Sequence, residues 1–494
     1  MDYWTGLFHR WRDVFMSFQN DRFSLLVGGD SVVANNSFAV INPATEEEVG
    51  YAPAASLEHV DKSVLAYEEV RETWTKDIAY RRKLLQNCAR KIEAQTDSIA
   101  EILSSEHGKP LHKSKLEISG VVKWFMDTSL LAIPDTVNDK LPNVPNVSSK
   151  ITRKPYGVVA AITPWNFPLM MMAWKVAPAL LMGNGVIVKP SPFTPLSSLY
   201  IGKIMSEVLP RGTLSVLTGD NRFSHELCSH ARIKKISLTG SIETGKSIYN
   251  SSGLKDLTLE LGGNDPAIIL PDADIESCIE EIFWAAFSNC GQICTGIKRL
   301  YIHESMFERT ANLLREYANN VKIGGAFESN IEMGPINNAQ QLYRIESMVF
   351  DAVESGGICI SGGRRLDRKG YFYPPTIITN IRDDSRVVNE EQFGPVLPLL
   401  TYTSLDNAVI RANNSNYGLG GSVWGRDVSL AERIAEKLEC GTAWINMHGP
   451  IWGAAPFGGW KLSGIGEEHG EQGLYEYSQA HVVYKKTTGD FYEQ

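Results

Sequence analysis

The stretch Gly157-Val158-Val159-Ala160-Ala161-Ile162-Thr163-Pro164-Trp165-Asn166-Phe167-Pro168 decides how the rest of the chain is read. A short apolar run rich in β-formers ends at a Thr-Pro step, and a helical pattern follows. Similar runs at 186–188, 214–217, 236–238 and 267–270 alternate with helical stretches. That alternation predicts a parallel sheet with crossover helices, an α/β architecture suited to a dinucleotide. The usual Gly-x-Gly-x-x-Gly fingerprint is absent. In its place Gly240-Ser241-Ile242-Glu243-Thr244-Gly245 follows a strand and opens a helix, where backbone N–H groups and the helix dipole can receive a pyrophosphate. Upstream, residues 56–107 are mostly helical in pattern, with Leu84, Leu85, Cys88 and Ile92 returning every three or four positions.

Two segments carry the chemistry. Cys294 closes the run Phe287-Ser288-Asn289-Cys290-Gly291-Gln292-Ile293-Cys294, and Glu260 lies in Leu259-Glu260-Leu261-Gly262-Gly263-Asn264. A thiolate adding to a carbonyl, followed by base-assisted hydrolysis of the thioester, needs such a thiol and carboxylate. Taken singly, each also reads as something plainer, a small buried hydrophobe and a turn-capping carboxylate.

The wider motif set separates these readings. Thr163-Pro164-Trp165-Asn166-Phe167-Pro168, Lys189-Pro190-Ser191-Pro192, Leu238-Thr239-Gly240-Ser241, the Glu260 run, the Cys294 run, Glu391-Gln392-Phe393-Gly394-Pro395 and Pro456-Phe457-Gly458-Gly459-Trp460-Lys461 occur in this order. Together they resemble the aldehyde dehydrogenase superfamily, in its non-acylating, hydrolytic branch, along nearly the whole chain. The resemblance implies a Rossmann-like cofactor domain (23–131 and 153–261), an α/β catalytic domain (262–475) and a small β oligomerisation arm (132–152 and 476–494). It leaves residues 1–22 as an N-terminal extension.

The resemblance also implies roles. Cys294 is the nucleophile, Asn166 an oxyanion donor beside the Cys294 backbone N–H, and Glu260 the base for hydrolysis. Lys175 and Glu468 resemble members of a proton relay. For the cofactor, Lys189 matches the lysine on the adenosine ribose, Ser241 the pyrophosphate hydroxyl, and Glu391 with Phe393 the pair at the nicotinamide ribose and ring. Trp165, Ser191, Gly219, Gly240 and Leu261 fall along the same cleft. Pro192 stands where many NAD-preferring members carry an acidic residue, so charge does not repel NADP; NAD is expected, since no arginine stands beside it to hold a phosphate. The turn Leu217-Thr218-Gly219-Asp220-Asn221 lacks the family's second glycine. Matching positions bring Phe167, Met170, Met171, Trp174, Phe287, Ile293, Thr295, Ile451, Trp452 and Phe457 to a substrate tunnel. This almost wholly apolar set points to a medium-chain aliphatic or aromatic aldehyde, without the arginine a free carboxylate would want or the acid a cation would want.

Bulk properties narrow the field. A chain of 494 residues, 43% hydrophobic and 21% charged, reads as a multi-domain globular protein. Its net charge of −9 argues against nucleic-acid binding. Seven scattered cysteines fit free thiols in a reducing, cytoplasmic setting, and Cys290 and Cys294 lack the partners a metal site needs. Trp4, Leu7, Phe8, Trp11, Val14, Phe15 and Phe18 form a helical aromatic stripe in residues 1–20, readable as a docked helix or as a weak interfacial membrane anchor. The strand His481-Val482-Val483-Tyr484 suits pairing with another subunit in a homodimer or homotetramer. Competing readings are a CoA-acylating or semialdehyde dehydrogenase of the same superfamily, a thiol esterase, and a non-catalytic structural protein on this fold.

Overall fold

The computed structural model describes residues 23–133, 137–140 and 147–486; the aromatic stripe of residues 1–20 lies outside the described residues. Two sheets organise the chain. In the first, five central strands run parallel in the spatial order Leu214–Val216, Gly185–Lys189, Val158–Ile162, Ile233–Thr239 and Asp256–Glu260. Strands Val158–Ile162 and Gly185–Lys189 are buried along their whole length, which is why they read as continuous apolar runs rather than alternating ones. Chain order reverses between Val158–Ile162 and Ile233–Thr239. A crevice opens at the carboxyl ends of strands where order reverses, and here that places residues 163–166 opposite Gly240 and Ser241.

The helix Pro168–Leu181 begins with Pro at its first position, where the missing N–H costs nothing, and every residue but Met170 is buried. It packs on Val158–Ile162, Gly185–Lys189 and the helix Leu111–Leu130. The expected helical region is present as Leu57–Trp74, Ile78–Glu93 and Thr96–His107.

The second sheet runs Ile358–Ser361, Thr376–Thr379, Val396–Tyr402, Ile297–His303, Asp265–Ile269, Gly420–Trp424 and Thr442–Ile445. All neighbours are parallel except the first pair. The apolar run at 267–270 therefore belongs here and not with the first sheet, as simple alternation had it. Only four residues, Leu261 to Asn264, carry the chain from Glu260 at the end of one sheet to Asp265 at the start of the other.

A third, antiparallel sheet joins Ser478–Lys486, Val147–Pro155 and Val137–Lys140. The strand holding His481 to Tyr484 thus pairs first with its own chain, and its outer edge has no strand beside it among the described residues. A two-residue strand, Gly464–Ile465, folds back antiparallel on Leu259 and Glu260. Its return brings the C-terminal segment, and Glu468 with it, beneath the first sheet's carboxyl edge.

Candidate active site

The thiol sits on a loop whose backbone is forced. After the helix Ile275–Phe287, Asn289 and Cys290 take left-handed conformations (φ 52° and 59°), and Gly291 follows at φ 67°. Such backbone is costly for non-glycine residues and is kept where surrounding contacts hold it. Those contacts are visible. Lys298 is fully buried and donates to the Gly291 carbonyl (2.5 Å) and the Gly394 carbonyl (3.1 Å), while Asn289 donates through Nδ2 to the Asn166 carbonyl (3.0 Å). A Cβ on Gly263 would stand 2.2 Å from the Cys294 carbonyl oxygen, so only glycine lets the Glu260 loop pass this closely.

The close pass puts acid and nucleophile in contact. The Cys294 Sγ lies 3.9 Å from Glu260 Oε1, within reach of a thiol donating to a carboxylate. Burial raises the Cys294 thiol well above its ordinary value, and nearby Glu260, Glu391 and Asp265 push it further. It therefore rests protonated and needs a base. Glu260 is itself raised to about 8, first by burial and then by Glu468, against the opposing pull of Lys175 and a Thr239 hydroxyl that donates to Oε2 at 3.1 Å. Behind it, Lys175 and Glu468 form an ion pair at 2.5 Å with both side chains out of solvent, and the Ser237 hydroxyl reaches Glu468 Oε1 at 3.4 Å. The two residues that the resemblance implies for a proton relay are thus brought together beside Glu260.

Asn166 is buried next to the same loop, donating through Nδ2 to the Gln292 carbonyl at 3.0 Å. A primary amide has two N–H bonds, so the second remains for an oxyanion. Its Oδ1 has no partner.

At the crevice, Ser241 caps the helix Ile242–Ser252, accepting from Thr244 N at 3.2 Å, and Gly240 N bonds the Glu260 carbonyl at 3.0 Å. Leu261 seals the packing, since a Cβ on Gly245 would come within 2.6 Å of its side chain. Lys189 ends its strand 2% exposed, and burial lowers its ammonium to about 8; no ion pair holds it among the described residues. Glu391 accepts from Gly263 N at 3.0 Å and is raised to about 7 by burial. Phe393, left-handed at φ 51°, meets Trp165 edge-on at 5.2 Å. A buried cation with no ion-pair partner at one end and a half-buried carboxylate at the other match two sets of ribose hydroxyls, so this set of polar groups fits a dinucleotide. Ser191 and Gly219 lie buried along the same edge; a Cβ on Gly219 would press Phe223 at 2.8 Å.

The expected tunnel residues divide. Phe167 and Met170 border a cavity of about 310 Å³. Met171, Trp174 and Phe457 are buried nearby, with Trp174 and Phe457 at 6.0 Å; Ile451 packs partly buried on the first core. Ile293 is half-buried next to Cys294, and Thr295 is buried with its carbonyl accepting from His448 Nε2 at 2.6 Å. Trp452 is 59% exposed, a rim position. Phe287 is a correction: it has no exposure and stacks 4.8 Å from Phe283 in the second domain's core, because the helix carrying it turns that face inward before the loop begins. Ser288, one residue on, reaches the cavity instead. The cavity beside Phe167 and Met170, whose lining does not include Cys294, also takes in charged residues. The cavity includes Lys109 and Glu117, a fully buried pair at 2.6 Å, with Lys109 also donating to the Asn166 carbonyl at 2.9 Å and lying 4.3 Å above the Phe167 ring. Their charges cancel locally, so they brace Asn166 rather than offer a free charge. Sequence reading missed them, and missed Lys298 and Thr239, because nothing local marks a lysine as buried.

Comparison with known proteins agrees with this geometry. Residues 32–483 match the model of the aldehyde dehydrogenase family. The chain is 35% identical over 477 residues to a betaine aldehyde dehydrogenase of Bacillus subtilis, covering 94% of this chain and 97% of that one. It is 38% identical over 457 residues to human retinal dehydrogenase 2, covering 90% and 88%. A crystal structure of Staphylococcus aureus betaine aldehyde dehydrogenase in complex with NAD+ superposes with a TM-score of 0.92 at 32% identity, covering 97% of this chain and 99% of that one. With the thiol, carboxylate and amide gathered at the crevice and a match along nearly its whole length, the chain belongs to the aldehyde dehydrogenase family.

Proposed function

We propose that the protein oxidises a medium-chain aliphatic or aromatic aldehyde to its carboxylic acid, with NAD as the expected cofactor. The 3.9 Å contact between Cys294 Sγ and Glu260 Oε1 carries the reading. Glu260 takes the thiol proton, and Cys294 adds to the aldehyde carbon. The alkoxide that forms is held by the free N–H of Asn166 and the Cys294 backbone N–H, with Asn166 itself held in place by the Gln292 carbonyl and Lys109. Bound NAD supplies the hydride acceptor that converts this adduct to a thioester. Lys189, Ser241 and Glu391 would hold its two ribose units and pyrophosphate, and Trp165 with Phe393 would flank the ring. Glu260 must first pass the thiol proton on towards Glu468 and Lys175; as a carboxylate again it draws a proton from the water that attacks the thioester, and collapse of that adduct releases the acid and expels the Cys294 thiolate, which takes a proton back.

Retention of Glu260 in contact with the thiol favours hydrolysis over transfer to CoA. Some relatives are named for betaine aldehyde and for aminoaldehydes; here the buried acidic side chain of the cavity, Glu117, is already matched by Lys109. Exposed Val482, Val483 and Tyr484 on the open edge of strand Ser478–Lys486 support assembly with another copy of the chain. Among the described residues no helix is long and apolar enough to cross a membrane.

The test is reduced-nicotinamide formation with NAD or NADP across apolar, carboxylated and cationic aldehydes. Turnover that vanishes in Cys294→Ala, with NAD affinity retained, is expected. Activity surviving in Cys294→Ala refutes the nucleophile, and a preference for carboxylated or cationic aldehydes refutes the substrate class.

A further inference from the structure

His469 follows directly on Glu468 and takes a left-handed backbone (φ 71°). Its ring is 5% exposed and enclosed by three aromatic side chains: Trp174 edge-on at 4.2 Å, Trp124 at 4.4 Å and Phe457 stacked at 5.7 Å. Enclosure of this kind is ordinarily apolar, yet both ring nitrogens of His469 have no hydrogen-bond partner. The indole N–H of Trp124 and that of Trp174 have none either, nor does Glu468 Oε2. Four buried polar atoms on three touching residues are thus unpaired in one box, with Glu468 Oε2, on a side chain turned to Lys175, outside it, when buried polar groups are nearly always satisfied. Burial and the neighbouring Lys175 lower the imidazole to about 3, so the ring is neutral and presents one donor and one acceptor.

Two consequences follow for what this cluster can meet. A box of tryptophan and phenylalanine faces is the arrangement that captures a quaternary ammonium, but here the imidazole already fills it. What the cluster offers is hydrogen bonding: two indole donors and a neutral imidazole able to donate and accept. An uncharged oxygen, above all a hydroxyl, satisfies that pattern; a trimethylammonium or a methyl group does not. We propose that His469, set in the Trp124–Trp174–Phe457 box, determines substrate specificity by pairing with a neutral oxygen on the tail of the aldehyde and by excluding a quaternary ammonium from the box. This inference rests on the reading of Trp174 and Phe457 as walls of the aldehyde site, and it narrows that reading to hydroxyl- or carbonyl-bearing aldehydes.

The experiment compares 4-hydroxybenzaldehyde, its near-isostere 4-methylbenzaldehyde and trimethylaminoacetaldehyde. Two substitutions separate the two effects. His469→Leu keeps the box filled and removes both nitrogens, whereas His469→Gly suits the left-handed backbone and empties the box. Thermal midpoints and NAD affinity establish that each variant is folded. In the parent, the hydroxyl compound is expected to lead the methyl compound by about tenfold or more in kcat/KM, since a buried polar site discriminates against an analogue that leaves it unpaired. His469→Leu should bring that ratio close to one while trimethylaminoacetaldehyde stays excluded. His469→Gly should raise kcat/KM for trimethylaminoacetaldehyde by about tenfold, the scale of a recovered cation–π site.

The same pairs are also measured as binding, by tryptophan fluorescence on Cys294→Ala with and without the His469 substitutions, so the result does not depend on turnover. Equal binding of the hydroxyl and methyl compounds by the parent site, or a hydroxyl preference that survives His469→Leu, overturns the proposal. Selective binding without turnover in the unsubstituted chain would instead overturn the dehydrogenase reading and leave the His469 site standing.

Discussion

The most exacting consequence of the proposal concerns pH, because Glu260, the base it assigns to thioester hydrolysis, sits at about 8 and not near an ordinary carboxylate value. A carboxyl at that value is about one-tenth ionised at pH 7, half at pH 8 and about nine-tenths at pH 9. Only the ionised form can accept a proton from water. Thioester hydrolysis should therefore climb about tenfold per unit below pH 7, about fivefold from pH 7 to 8, and less than about twofold from pH 8 to 9. The step is isolated by acylating Cys294 with an activated ester, removing excess ester and following release of the acyl group across pH. Glu260→Gln should be slow and flat through this range. Glu468→Gln, which removes the negative neighbour that pushes Glu260 up, should move the inflection downward. A profile with its inflection near 4.5, or one that keeps its shape in Glu260→Gln, refutes both the base and the cause assigned to its shift.

Three further outcomes test the rest of the machinery. Asn166→Ala should lower kcat by about 10²–10³ with little change in NAD affinity, the cost of one oxyanion donor; a loss under about tenfold would remove Asn166 from that role. Gly263→Ala places a Cβ 2.2 Å from the Cys294 carbonyl, so it should displace the nucleophile loop and suppress alkylation of Cys294 by iodoacetamide while circular dichroism stays parental. Unchanged alkylation would show that the loops are farther apart than described. Lys175→Met leaves Glu468 buried without its partner and should destabilise the fold by about 3–5 kcal/mol in urea unfolding; a neutral result would place that pair in solvent.

Much of this was legible in the residues themselves. The strand runs and the Gly240–Gly245 loop announce a parallel α/β sheet because a strand buried on both faces must be apolar throughout. Cys294 and Glu260 stand out because each lies in a loop of small residues with glycines visible in the chain, and Asn166 because its motif carries the resemblance. Even the relay residues Lys175 and Glu468, 293 positions apart, could be matched to motifs, although only the return strand Gly464–Ile465 explains how they meet.

What the chain by itself did not disclose depends on which way a side chain faces and what encloses it. Phe287 looked like a tunnel wall and is core, since a one-residue step around a helix end decides between the two. Lys109, Glu117 and Lys298 look like surface charges in the sequence, and each is buried and braces the site, because burial is a property of the assembled layers. His469 is the sharpest case. Beside Glu468 it reads as an ordinary polar residue, and only the convergence of Trp124, Trp174 and Phe457 from three distant segments makes it an enclosed, unpaired imidazole. Local sequence determined the elements, through periodicity and backbone constraint, and its motifs carried the resemblance that implies the reacting groups. Tertiary packing decided their burial and protonation, because desolvation and charge proximity are set by neighbours that lie far away along the chain.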